Sequence, residues 1–234
     1  MTAAKKLSYL LLENNADYLV INKAPGVNLH RNHHDESLLD ILHRDFPGES
    51  LHLVHRLDDA TSGLLLIAKN VSAAAEFGRL FASREVEKFY FALAEGKPSK
   101  KQGMIVGDIK KSRSGSYLLS RTRSNPSISQ FFSYALVDGL RGYLLRPHTG
   151  KTHQLRVVMK SLGVPILGDT RYGPRKQQCD RMYLHAMALR FQFNGCEQLY
   201  VCLPSQGDAF LNEDLQAILE SCNPPWHCKW PSIH

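Results

Sequence analysis

Between Leu53 and Lys69 the chain reads Leu-Val-His-Arg-Leu-Asp-Asp-Ala-Thr-Ser-Gly-Leu-Leu-Leu-Ile-Ala-Lys, a charged cluster set between two apolar runs. No other stretch constrains the fold as tightly. A continuous apolar run bounded by turn residues suits a strand covered on both faces, so Leu53-Val54 and Leu64 to Ala68 read as short buried strands. Thr61, Ser62 and Gly63 supply the turn that returns the chain into the second of them. His55, Arg56, Asp58 and Asp59 then fall at the lip of a sheet, where a carboxylate beside an arginine is placed for work on a ligand.

The flanking elements follow from the same patterns. Tyr18 to Ile21 is β-branched and aromatic and reads as a strand, closed by a tight turn over Lys23-Ala24-Pro25-Gly26. Ser37 is placed to cap a helix running to Phe46 that buries Leu38, Ile41 and Leu42. Ser72 is placed to cap a second helix through Ser83, with Ala75, Phe77, Leu80 and Phe81 for packing. From Lys88 to Gly96 alternation places Phe89, Phe91 and Leu93 on one face of a strand and Lys88, Tyr90 and Ala92 on the other. Residues 97–103 are expected to join two halves of a single domain, 1–234. Gly142 to Pro147 is a strand leading to a helix that starts at Thr152. There Leu155, Met159 and Leu162 share one face, and His153, Arg156 and Lys160 the other, which aims Arg156 away from the core. Strands over Tyr183 to Phe193 and Leu199 to Leu203 and a helix over Asp208 to Leu219 complete an α+β chain.

Composition narrows the partners. Lys plus Arg exceed Asp plus Glu by 29 to 22, a net charge of +7, which favours a polyanion such as nucleic acid. Much of that charge lies between Ile109 and Ser129, where Lys110, Lys111, Arg113, Arg121 and Arg123 alternate with Ser and Gly in what reads as an exposed basic hairpin. Five cysteines fit reduced thiols in the cytoplasm better than a disulfide framework. No apolar run approaches the ~18 residues needed to span a membrane, and the start is too short in apolar residues for a signal peptide. No membrane partner is expected. His30, His33, His34 and Asp35 have ligand chemistry, as do Cys222, His227 and Cys228. The first set reads as a solvated loop and the second as a docked tail, so no metal is expected.

Four stretches resemble, in order, the motifs of the RluA-type pseudouridine synthases. They are the Lys23-Ala-Pro-Gly26 turn, the run from His55 to Lys69, the Lys88-Phe-Tyr90 strand, and a block from Thr149 to Gly173 that carries Thr-Gly-Lys-Thr-His-Gln-Leu-Arg and Leu-Gly-Val-Pro-Ile-Leu-Gly-Asp-Thr-Arg-Tyr-Gly. Leu184-His185-Ala186 fits the same pattern. Protein kinases share a His-Arg-Asp run, but the chain has neither their Asp-Phe-Gly motif nor their glycine-rich loop. Two positions depart from the family: Lys151 replaces an arginine, keeping charge and losing the planar fork, and Val158 stands where histidine is common.

The resemblance implies the pseudouridine synthase fold, a mixed and mostly antiparallel sheet in two halves with flanking helices and a central cleft. It implies isomerisation of a uridine in ribosomal or transfer RNA to pseudouridine without cofactor or metal. Asp58 would be the nucleophile, attacking either base or sugar, with Tyr90 against the target base and Arg156 paired with Asp58. Arg56 would fill the space left by the extruded base. Lys151, His153 and Gln154 would contact RNA, joined by Arg113, Arg121 and Arg123 of the basic stretch. A monomer without a separate amino-terminal RNA-binding domain is expected. A noncatalytic RNA-binding protein on the same scaffold is the alternative.

Overall fold

A computed structural model describes residues 8–29, 36–137, 139–174 and 178–232. The chain divides into two compact units, 1–86 and 87–234. Residues 97–103, where the two halves are expected to meet, lie instead inside the second unit.

In the first unit, β1 (Tyr9–Asn14) pairs with β2 (Tyr18–Lys23), and β2 with β4 (Ser62–Ala68). The two-residue β3 (His52–Leu53) lies against Ala68 and Ile67 of β4. All these pairings are antiparallel. Leu64 to Ala68 are fully buried, as the apolar run requires. Helix α1 (Leu38–Asp45) begins at Ser37, whose hydroxyl accepts the N–H of Asp40 while the Asp40 carboxylate accepts the N–H of Ser37. Such reciprocal caps are worth about 1 kcal/mol. Leu38 and Leu42 are buried, whereas Ile41 is only half-buried. Helix α2 (Val71–Ala82) starts earlier than Ser72. Its cap is Asn70, whose side chain accepts the N–H of Ala73 at 2.7 Å. The shifted start buries Ala73 with Phe77 and Leu80 and leaves Ala75 exposed.

In the second unit the antiparallel strand order is β11 (Cys196–Val201), β10 (Leu184–Phe193), β5 (Glu87–Glu95), β9 (Leu140–Pro147), β8 (Ser127–Ala135), β6 (Gln102–Lys111), β7 (Tyr117–Ser120). Phe89, Phe91 and Leu93 of β5 form one core with Leu144, Phe210 and helix α4 (Glu213–Ser221), which contributes Leu215 and Leu219. The carboxy-terminal segment covers the same face: Trp230 packs on Phe89 and Phe132, and Gln130 donates to the carbonyl of Pro231. Ser129 of β8, one residue from Gln130 and so on the opposite face, bonds Gln154 of helix α3 (Gln154–Ser161). Helices thus lie on both faces of this sheet.

Candidate active site

The loop that carries Asp58 forms because β3 is so short. After Leu53 pairs with Ile67, the next N–H on β4, that of Leu66, donates to Nε2 of His55 at 2.9 Å instead of to a backbone carbonyl. An accepting Nε2 is unprotonated, and the His55 ring stacks on Phe81 at 4.7 Å. His55 therefore pins the loop, and the chain leaves the sheet after it. Leu57 anchors the next step in the core, while Arg56 is exposed and Asp58 half-buried. The Asp58 carbonyl accepts the N–H of Thr61 at 2.9 Å, closing the turn into β4.

A second tie comes from the Pro-Gly turn. The Lys23 side chain is fully buried, and its Nζ donates to the carbonyls of Ala24, Val27 and Asp59 at 2.9–3.0 Å. The N–H of Gly26, at φ 81°, donates to Asp59 at 2.8 Å as well. Lys23 thus clasps the residue beside Asp58 to the turn at the end of β2.

In the second unit, Tyr90 lies on the face of β5 opposite Phe89 and Phe91 and is half-buried. After β9, residues 148–153 lead into α3, which begins at Gln154 rather than Thr152. His153 precedes it in the left-handed region, φ 55°. The Gln154 side chain, expected to meet RNA, is instead an internal knot. Its carbonyl accepts from Thr149 Oγ1 and the N–H of Lys151, and its amide donates to Ile128 O and Ser129 Oγ. Lys151 is half-buried and bonds Asn125 Oδ1 at 2.7 Å.

Arg156 also differs from the helical-wheel expectation: it is buried, not aimed outward. Its Nε and Nη2 donate to Oδ2 and Oδ1 of Asp169 at 2.8 and 2.9 Å, a planar two-bond pairing. Asp169 Oδ1 accepts further bonds from the N–H groups of Arg171 and Tyr172. Burial pushes the Asp169 carboxyl up, but its bonds to Arg156 and the two N–H groups outweigh this and hold it below the usual carboxylate range. Gly168 makes the bend possible: its φ is 75°, and a Cβ there would strike the carbonyl of Arg181. The Tyr172 ring lies 5.2 Å from the Arg156 guanidinium carbon. Its hydroxyl accepts the N–H of Tyr117 and meets His153 Nδ1 at 2.9 Å. Burial raises the pKa of that hydroxyl.

The basic stretch docks on this helix. Strands β6 and β7 form a hairpin whose turn, 113–115, accepts a bond from Arg171 through Ser114 O. Lys110, Lys111, Arg113, Arg121 and Arg123 are all exposed. The turn carrying Arg121 and Arg123 folds around Asp108, whose carboxylate accepts from Thr122 Oγ1 and the N–H groups of Ser124 and Asn125. Those bonds, the Thr122 hydroxyl foremost, lower the pKa of Asp108. The turn that carries Arg121 and Arg123 is therefore tied through Asn125 to Lys151. Asp108, Asp169 and Tyr172 were not legible as site residues. The only sequence signal for Asp169 and Tyr172 is the Gly-Asp-Thr-Arg-Tyr-Gly run, which reads as turn architecture, and Asp108 has none.

Among the described residues no group of three or more His, Cys, Asp or Glu is arranged to hold a metal. Residues His30, His33, His34 and Asp35 lie outside the described residues. His185 is buried, with Nε2 2.9 Å from the carbonyl of Cys202. Also among the described residues, no helix is long and apolar enough to cross a membrane.

A family model described as RNA pseudouridylate synthase matches residues 17–161. A Haemophilus influenzae protein described as an uncharacterized RNA pseudouridine synthase is 46% identical over 196 residues, covering 84% of this chain and 88% of that protein. The ribosomal large subunit pseudouridine synthase C of Rickettsia bellii is 36% identical over 80% of this chain. The match covers 65% of that protein, so the chain spans less than two thirds of its length. The solved structure of human RNA pseudouridylate synthase domain containing 1 superposes with a TM-score of 0.75 at 28% identity, covering 99% of this chain and 100% of that one.

Proposed function

Because this chain belongs to the RNA pseudouridylate synthase family, a family of isomerases, we propose that it converts a uridine within ribosomal or transfer RNA to pseudouridine with Asp58 as nucleophile. The observation that carries the reading is the loop at 55–61. There the chain is released from the sheet by the His55 bond to Leu66 and held by Lys23 and Thr61, which sets a half-buried carboxylate on a fixed backbone.

In the proposed reaction the glycosidic bond to nitrogen breaks, the base turns, and a bond to carbon replaces it. A proton leaves that carbon and the nitrogen gains one, so composition is unchanged. Asp58 attacks base or sugar. The target uridine first leaves its stack, at a cost of a few kcal/mol. Arg56 takes the vacated space, Tyr90 lies against the extruded base, and Arg156 supplies a fixed positive charge to the reaction. Arg113, Arg121, Arg123 and Lys151 hold phosphates. We place the activity in the cytoplasm, where the five free thiols stay reduced.

The test is a transcriptome-wide pseudouridine map of cells with and without this protein. The proposal expects at least one ribosomal or transfer RNA uridine to lose modification on deletion and to regain it when purified protein is added to the extracted RNA. Identical maps would refute it.

A further inference from the structure

Asp169 is buried, ionised and fully committed, yet it belongs to none of the groups assigned a part in the reaction. We propose that Asp169 is a positioning residue that acts through Arg156, an inference that rests on the role given to Arg156 above.

A guanidinium on a long side chain ordinarily chooses among many rotamers, and its plane is set by whatever it binds. Here the plane is set before any ligand arrives. The Nε and Nη2 edge is occupied by Asp169 Oδ2 and Oδ1, and planarity then dictates where Nη1 points. The carboxylate is itself held still. Its Oδ1 takes the N–H groups of Arg171 and Tyr172, its own N–H donates to Ile166 O, and its carbonyl accepts from Gly173. The Tyr172 ring lies beside the same guanidinium, and the Tyr172 hydroxyl is fixed by Tyr117 and His153. A donor held in this way needs no reorganisation when charge develops near it, and fixed orientation of this kind is a large part of what a site contributes to rate.

A purely architectural Asp169 would clamp α3 to the 167–173 turn with no bearing on chemistry. The two roles separate in a double-mutant cycle of Asp169→Asn and Arg156→Lys, with single-turnover conversion measured at saturating protein. The probe is unmodified ribosomal and transfer RNA from cells lacking this protein. Asp169→Asn keeps the shape and removes one of the two acceptors facing the fork. It is expected to slow conversion about 10²-fold, while RNA half-saturation stays within about threefold because phosphate contacts are untouched. In the Arg156→Lys background, where the fork is already gone, the same change is expected to slow conversion less than about threefold.

Equal slowing in both backgrounds, or no slowing in either, would overturn the proposal. Circular dichroism melting accompanies each variant. If Asp169→Asn is unfolded at the assay temperature, Asp169→Glu enters the same cycle, since it keeps the charge and displaces the fork by one methylene. Loss confined to the Arg156 background supports the role, and equal loss in both refutes it. A wild-type protein that leaves the RNA unconverted would refute the reading of the reaction and this inference together. Wild-type activity with additive losses would refute the role of Asp169 alone.

Discussion

A lysine with no exposed surface must find acceptors for its ammonium protons, and Lys23 finds them in the carbonyls of Ala24, Val27 and Asp59. Lys23→Met keeps the stem's packing and removes the donor. The change is expected to cost about 1–3 kcal/mol, read as a lower urea midpoint at unchanged slope. Pseudouridine formation should fall with it, because Asp59 loses one of its two ties. His185 gives a prediction in pH. Burial, with a smaller contribution from Arg181, lowers its pKa from 6.5 to about 4 against the raising effect of the Cys202 carbonyl. Between those values the unfolded chain binds a proton that the folded chain refuses, so stability falls as pH drops from 6.5 towards 4, by about 3 kcal/mol in all. In His185→Gln that part of the decline should be missing from denaturation curves taken across the same range.

At the scale of elements, the turn around Asp108 is the most specific construction outside the 55–61 loop. Asp108→Ala removes the acceptor for Thr122, Ser124 and Asn125 at once. The amides of Ser124 and Asn125 are expected to exchange with solvent faster, and RNA affinity to fall by less than about tenfold, since Arg121 and Arg123 remain but lose their fixed spacing. Unchanged exchange would mean that the turn holds its shape without the carboxylate. Elements with strong local chemistry were legible in the sequence: α1 through its Ser37 cap, β4 through its apolar run, β5 through its alternation. Strands whose pairing alone makes them strands were not. The basic hairpin was legible but not the bounds of β6 and β7, where lysine, serine and glycine break the pattern, and β1 leaves Leu10, Leu11 and Leu12 exposed, so no buried face marks it. Helical spacing alone puts Arg156 on an outward side. Its actual direction comes from Asp169, thirteen residues on, a pairing that periodicity within one helix cannot register.

For the molecule as a whole, the excess of basic residues and their exposed concentration between Lys110 and Arg123 predict binding dominated by phosphates. Every phosphate-binding side chain removed should lower the slope of log affinity against log salt by about 0.7–0.9, so replacing Arg113, Arg121 and Arg123 together by glutamine should lower it by about 2. An unchanged slope would assign those side chains to solvent alone. The reaction class was legible because four short motifs occur in family order, and the family model matches residues 17–161. The target RNA was not, since phosphate contacts carry no sequence information. The most direct measurement of the role given to Asp58 compares wild type with Asp58→Asn for pseudouridine formed and RNA bound, side by side on the same RNA. The expected result is no product from the variant with RNA affinity within about tenfold of wild type, because affinity comes mainly from phosphates. Product formation that survives the substitution, or conversion and binding reduced in equal measure, would contradict it.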